Sequence, residues 1–419
     1  MTSRASGALR VALGIIALIA GTACVRAGRV PPPRWSADLA PLRVEGDTGV
    51  VDTIAHGALH RSFLVRQGPW AVHVLDVDRN ACWTLVAVKG ASGAAGRRKT
   101  SALASELSQG GGAVGGAVNA DFFLFDPPGV PTGAHVSGGD VVTGPGARPV
   151  FAIGSDGRPW IGVLSVSGVA VSALDSIPIV SWNRLAPGGL AWFDARFGST
   201  VDTSSGSVRV TMSSLRGLVQ SIDTAPAPTP IPSSGGVLVL GPRVPAPVRA
   251  RFLLAARARG RFDVEMRLVP VHPSEAVGGF PVLVHDSLEV PGLDSAGAVT
   301  FAPVRHPRTI VAVASRGRRI LLVTIDGRQP GYSVGTTLRE SARLALALGA
   351  TEAINLDGGG STTMVVARSS PDTTRFEVVN RPSDAQGERL VGNALVVTQR
   401  SASSDQRSTV GRNRSLQCR

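Results

Sequence analysis

Between Arg318 and Val366 the chain reads as strand, helix, strand, turn and strand, and this order restricts the fold more than any other feature. "RRILLVTID" is an apolar, β-branched run that ends on Asp326. "TTLRESARLALALGA" then carries helical signals: Thr337 and Glu340 have capping-box spacing, Leu338, Ala342, Ala345 and Leu348 share one face, and Gly349 suits the C-terminal cap. "AINL" is the next strand, and it runs into Asp357 and three consecutive glycines before "TTMVVA" resumes. Strand, helix, strand predicts a right-handed crossover between parallel strands. The expected fold class is therefore α+β, with a mixed, largely parallel β-sheet flanked by helices and β-rich N-terminal and middle regions.

That geometry places Asp326 and Asp357 at the C-terminal ends of strands in one unit, where open α/β sheets bind ligands. Neighbouring strands would hold them roughly 5 Å apart, and one intervening strand about 10 Å. Carboxylate pairs that cleave glycosides span roughly 5 to 9.5 Å. The turn "DGGGS" can be a plain hairpin, but a hairpin seldom needs three glycines. The amides of Gly358, Gly359 and Gly360, without side chains, can form an anion-binding nest beside the Ser361 and Thr362 hydroxyls. An actin-like ATPase loop is the competing reading; here no residue separates the acid from the glycines, and no second phosphate loop is present.

The other candidates are weaker individually. Glu340 has either a capping or a catalytic role. "NADFF" sets Asn119 and Asp121 before an aromatic pair, and Arg308 beside His306 is a candidate anion clamp. Asn380, Arg381, Glu388 and Arg389 occupy a Gly/Pro-punctuated loop before the last strand.

The remaining sequence sets the context. Of 419 residues, 43 are basic and 30 acidic, giving a formal charge of +13. The basic residues are nearly all arginine and are scattered, and aromatics are scarce, which argues against a nucleic-acid-binding stripe. Arg4 and Arg10, the apolar "VALGIIALIAG" and the small residues before Cys24 predict a signal peptide over residues 1–24. Cys24 sits as in a bacterial lipobox, so lipid attachment there is expected as a membrane anchor. Residues 25–48 read as a linker, 49–400 as the folded domain with a β-rich middle region over about 160–270, and 401–419 as a disordered tail. Cys82 and Cys418 could pair in an oxidising compartment, no Cys/His spacing suggests zinc, and no loop has a recognised Ca²⁺ spacing, although oxygen-rich loops could accept that ion.

Taken in order, "HPRTIVAV", "LLVTIDGRQPGYSVGTTLRESARLALALGA", "EAINLDGGGSTTMVV" and "VNRPSDAQGERLVGNALVV" resemble the phosphodiester glycosidase family. The resemblance is dense over about 300–398 and thinner at "AVNADFF" and "GGFPVLVHD". It implies hydrolysis of a sugar joined through its anomeric carbon to a phosphodiester, by an exported protein acting on envelope or exopolysaccharide-type glycans. It carries Asn119, Arg308, Asp326, Glu340, Asn355, Asp357, Gly358, Gly359, Gly360, Ser361, Arg381 and Glu388 over as motif residues. Asp357, Asp326 and Glu340 are then the expected catalytic acids, the others substrate contacts. Ala120 and His285-Asp286 depart from the family pattern. The rival function is a non-catalytic envelope module that binds anionic glycans.

Overall fold

The structure is a computed structural model that describes residues 49–66, 68–258, 260–298, 300–369 and 373–400. The expected signal peptide, Cys24, the linker and the tail from 401 lie outside these residues. Cys82 is disulfide-bonded, but the pairing expected with Cys418 also falls outside them. Among the described residues no helix is long and apolar enough to cross a membrane.

The largest sheet has eight strands in the order Val50–Ala55, Ala58–Val65, Trp70–Asp78, Arg319–Ile325, Arg308–Ala314, Ala350–Asn355, Val282–His285 and Leu288–Glu289. Every pairing in it is antiparallel. This corrects the expectation of a largely parallel sheet. The helix α3 (Leu338–Ala347) does connect Arg319–Ile325 to Ala350–Asn355, and those two strands do run parallel. The connection steps over Arg308–Ala314, however, which lies between them and runs the other way. The molecule is thus mostly antiparallel β, with α1 (Thr100–Gln109), α2 (Ala246–Arg257) and α3 as its described α-helices.

Two five-stranded antiparallel sheets adjoin. One runs Thr374–Val378, Met364–Ser369, Val114–Asn119, Asn393–Gln399, Trp83–Lys89, and the other runs Pro159–Gly162, Val150–Gly154, Pro273–Gly278, His135–Ser137, Asp140–Thr143. A shared core that includes Leu75, Leu85, Val118, Phe151, Val277, Val311, Leu322, Ile354 and Leu395 binds the three sheets. Burying each of the larger aliphatic side chains contributes about 1.5–3 kcal/mol.

The β-rich middle region closes into a seven-stranded barrel in the order Ser165–Val171, Ser176–Trp182, Leu190–Asp194, Gly236–Leu240, Val208–Met212, Arg216–Asp223, Arg261–Val269. It has its own core around Trp192, Leu238, Phe252 and Phe262. It also holds the one parallel pairing among the described strands, Ser176–Trp182 with Leu190–Asp194. Closing the barrel leaves no exposed strand edge.

Local signals in α3 agree with the sequence. The Thr337 hydroxyl accepts from Glu340 N–H and the Glu340 carboxylate accepts from Thr337 N–H. Gly349 follows the last turn at φ +90°, a conformation that favours glycine.

Candidate active site

Leaving Ala350–Asn355, the chain crosses the end of the Val114–Asn119 strand. Asp357 N–H donates to Ala120 O at 2.8 Å, and Asn119 Nδ2 donates to Asp357 O at 2.7 Å. Asn119 Oδ1 accepts from the Thr309 hydroxyl at 2.8 Å and from Thr363 N–H at 3.1 Å. Asn119, fully buried, is therefore a clamp that joins three strand ends and sets the position of Asp357. Its amide oxygen and nitrogen are both used by these protein partners.

Asp357 is the partly exposed acid of the group. Burial pushes its carboxyl up to about 6, against the Ser361 hydroxyl, the Gly358 N–H and the charges of Arg389 and Arg148. The Gly358 bond is 2.9 Å. Ser361 faces the same carboxyl without a well-formed hydrogen bond, and its hydroxyl and those of Thr362 and Thr363 are buried without protein partners.

The second acid of the site is Asp121, one residue past the pairing with Ala120. It is 1% exposed. Burial pushes it up to about 7, the Gly133 N–H and Arg148 oppose this, and the Asp357 charge adds to the rise. Gly133 N–H donates to Asp121 Oδ2 at 2.7 Å. Arg148, which nothing in the sequence singled out, acts on both carboxyls. It donates to Thr132 Oγ1 at 3.1 Å and lies over Phe122 and Phe280 at 5.0 and 5.7 Å from the ring centroids.

Asp326 leaves its strand at the expected edge but turns inward, with 1% exposure. Oδ1 accepts from Asn380 Nδ2 at 2.9 Å, and Oδ2 accepts from Arg381 N–H at 2.9 Å and the Tyr332 hydroxyl at 3.1 Å. Burial raises its carboxyl and these three donors oppose the rise. His73 Nε2 stands 3.9 Å from Oδ2, but burial, with the neighbouring His60, lowers that imidazole to about 4, so it is neutral and forms no ion pair near pH 7. Asn380 Nδ2 also donates to Thr362 O at 3.1 Å. Asp326 thus ties the 380–381 loop to the segment beyond the glycine turn.

The three glycines answer to close approach. At Gly358 a Cβ would stand 2.6 Å from Pro307 O, Gly359 has φ +62°, and at Gly360 a Cβ would overlap the Asp384 carboxylate and the Arg389 guanidinium. The expected amide nest is largely committed elsewhere. Gly358 N–H donates to its neighbour Asp357 and Gly359 N–H to Pro307 O at 2.9 Å. Among the described residues only the Gly360 N–H of the three has no acceptor. Positive charge at the turn comes instead from side chains. Arg389 is paired with Asp384 at 2.7 Å. Arg328 is exposed in the left-handed region at φ +61°, with Nη2 3.3 Å from His306 Nδ1. Arg381 is exposed over the Tyr332 ring at 5.3 Å. A strained non-glycine backbone such as that of Arg328 costs of order 1–3 kcal/mol and clusters at functional sites.

The other expected contacts are structural in this geometry. Arg308, 1% exposed, donates to Thr336 O, Phe301 O and Val304 O at 3.0, 2.7 and 3.1 Å; burial, helped by Arg328, lowers it to about 10. Glu340 closes the capping box and is gripped by Arg305, at 2.6 Å. Glu388 accepts from Ser101 N–H and the Ser101 hydroxyl at 2.8 and 2.6 Å, which caps α1. Asn355 Nδ2 holds Phe280 O and Leu356 O at 2.7 and 2.8 Å. The loops from Asp121, Arg148, Arg328, Asp357 and Arg389 remain, a partly open carboxyl over a buried one and ringed by guanidinium groups. Such a site suits an anionic substrate that reacts beside its charge.

The phosphodiester glycosidase family model matches residues 210–398, a stretch that includes Asp326, Asp357, the glycine turn, Arg381 and Arg389. The family resemblance of this stretch is thereby shown. No curated protein matches the chain. Among solved structures, a hypothetical protein from Synechocystis is similar at TM-score 0.69 and 22% identity, over 85% of this chain and 64% of that one. The chain therefore spans a little under two thirds of that protein's length. A protein from Burkholderia pseudomallei assigned as exported is similar at TM-score 0.60 and 27% identity, over 79% of this chain and 74% of that one. The catalytic domain of zebrafish N-acetylglucosamine-1-phosphodiester α-N-acetylglucosaminidase, auto-inhibited by its pro-peptide, aligns at TM-score 0.43 and 15% identity, over 85% and 83% of the two chains.

Proposed function

We propose that the protein is a phosphodiester glycosidase that hydrolyses an α-glycosyl-1-phosphodiester to free sugar and a phosphomonoester, and that it is exported to act on envelope-type glycans. The observation that carries this reading is a partly open acid beside a buried one: Asp357 is bonded through its N–H to Ala120 O, one residue before Asp121, and Arg148 is held next to them on Thr132 Oγ1. The phosphomonoester that leaves, taking the electron pair of the anomeric C–O bond as a second negative charge, is already a good leaving group, so holding that charge matters more than protonating it. Arg148, Arg328, Arg381 and Arg389, with the Gly360 N–H, would hold the phosphate. Ionised Asp357 would serve the anomeric carbon, by attacking it or by taking the proton of the attacking water.

Asp121 has a different part. While it holds its proton, Asp121 and Asp357 carry one negative charge between them and Arg148 is free for the phosphate. Once it ionises, it draws on Arg148 and the phosphate binds less well. Asp326 would position the loop of Arg381. The purified protein, offered a panel of sugar-1-phosphodiesters, should release sugar and phosphomonoester in equal amounts. Binding without turnover across the panel would favour a non-catalytic glycan-binding module instead.

A further inference from the structure

The barrel carries a second concave site, of about 300 Å³, where its mouth meets the strand Asp140–Thr143. Trp182, Trp192, Met266, Asp140, Asp194 and Arg196 are among its lining residues. Trp192, 1% exposed, belongs to the barrel core, so the half-buried Trp182 is the indole that can meet a ligand here.

The indole of Trp182 is fixed before any ligand arrives. Its Nε1 donates to Asp194 Oδ2 at 3.0 Å, and Asp194 Oδ1 accepts from Asn183 Nδ2 at 3.1 Å and from Arg196 N–H at 3.0 Å. Asn183 is held at φ +48° by this network, and it also donates to Val141 O at 2.7 Å. At the rim, Arg196 pairs with Asp140 at 2.7 Å.

We propose that this cavity is a carbohydrate-binding site, separate from the candidate active site, that takes a neutral pyranose unit. The volume falls at the small end of ligand pockets. A flat indole offers an apolar platform to the C–H face of a sugar ring, and carboxylates with a guanidinium fork match vicinal hydroxyls. Two carboxylates against one guanidinium disfavour an anionic sugar, the reverse of the arginine-ringed end that Asp357 occupies.

The two sites share a short connection. Arg184, two residues beyond Trp182, donates to Gly144 O and Gly133 O at 2.9 and 2.8 Å, and Gly133 N–H donates to Asp121. If the phosphodiester reading holds, on which this extension rests, the substrate is a longer glycan whose neutral body docks on the barrel.

The test is binding of maltotriose, cellotriose and chitotriose, measured by saturation-transfer NMR and titration calorimetry. Wild type and Asp357→Asn should both bind at least one of the three. Trp182→Ala and Ser234→Phe, the second of which fills the mouth from an exposed position, should weaken binding at least about tenfold. Ser234→Phe should still hydrolyse a simple sugar-1-phosphodiester as wild type does. Absence of binding to wild type, unchanged binding in Ser234→Phe, or binding lost in Asp357→Asn but kept in Ser234→Phe would each overturn the site. Absence of hydrolysis by wild type would instead count against the glycosidase reading alone.

Discussion

Asp326 and Asp357 leave the same edge of the same sheet, from strands that run parallel with one strand between them. At Asp326 three protein donors take both carboxylate oxygens and the side chain is sealed from solvent. At Asp357 one oxygen takes the adjacent Gly358 N–H and the residue remains partly open. The edge of a sheet decides where an acid emerges. The residues just beyond the acid decide its availability: Gly327-Arg328 curls back and brings Tyr332 onto Asp326, whereas Gly358 and Gly359 pass close to Pro307 O and add no side chain of their own beside Asp357.

Exchanging each acid for its amide should separate the two. Asp357→Asn should lower kcat by about 10²–10⁴-fold, with no loss of Tm at pH 8. The sign comes from linkage: burial raises the Asp357 carboxyl, so its ionised form costs stability above about pH 6, and the amide removes that cost. Asp326→Asn should do the opposite. It turns one acceptor into a donor facing either Asn380 Nδ2 or the Arg381 N–H, with an expected loss of about 1–3 kcal/mol in chemical denaturation and a smaller loss of kcat than Asp357→Asn. Equal kinetic losses with equal stabilities would erase the distinction.

The pH profile sharpens the comparison further. kcat/KM should rise as Asp357 ionises near pH 6 and fall as Asp121 ionises near pH 7. The alkaline fall should sit in KM, because it comes from the withdrawal of Arg148. Asp121→Asn should keep the acid limb and lose the alkaline one, and a profile identical to wild type would deny Asp121 any part in it. The smallest effect is expected at Glu340→Ala, which should cost about 0.5–2 kcal/mol through the lost cap while KM stays unchanged.

The sequence made Asp357 legible because a strand end, an acid and three glycines stand together. The same reasoning placed Asp326 at the correct edge, yet its partners Asn380 and Tyr332 come from separate loops, so its burial was invisible. The helix between the two strands suggested a largely parallel sheet and left open whether the two are neighbours, because nothing in a linear pattern shows that Arg308–Ala314, an earlier strand, has inserted between them in the opposite direction. Motif resemblance drew in Arg308 and Glu388, whose distinctiveness comes from holding loop carbonyls and capping α1. Arg148 carried no signal, since its partner Asp357 is far away in sequence. The barrel was readable as β-rich, but alternation within a strand does not reveal which strands close on one another.

The role of Asp357 turns on which bond of the phosphodiester breaks. Hydrolysis of a sugar-1-phosphodiester in ¹⁸O-water, with ³¹P NMR of the phosphomonoester, reads that directly. Attack at the anomeric carbon, with Asp357 serving that atom, predicts a phosphomonoester free of ¹⁸O. A phosphomonoester carrying solvent ¹⁸O would mean attack at phosphorus and would contradict the assignment.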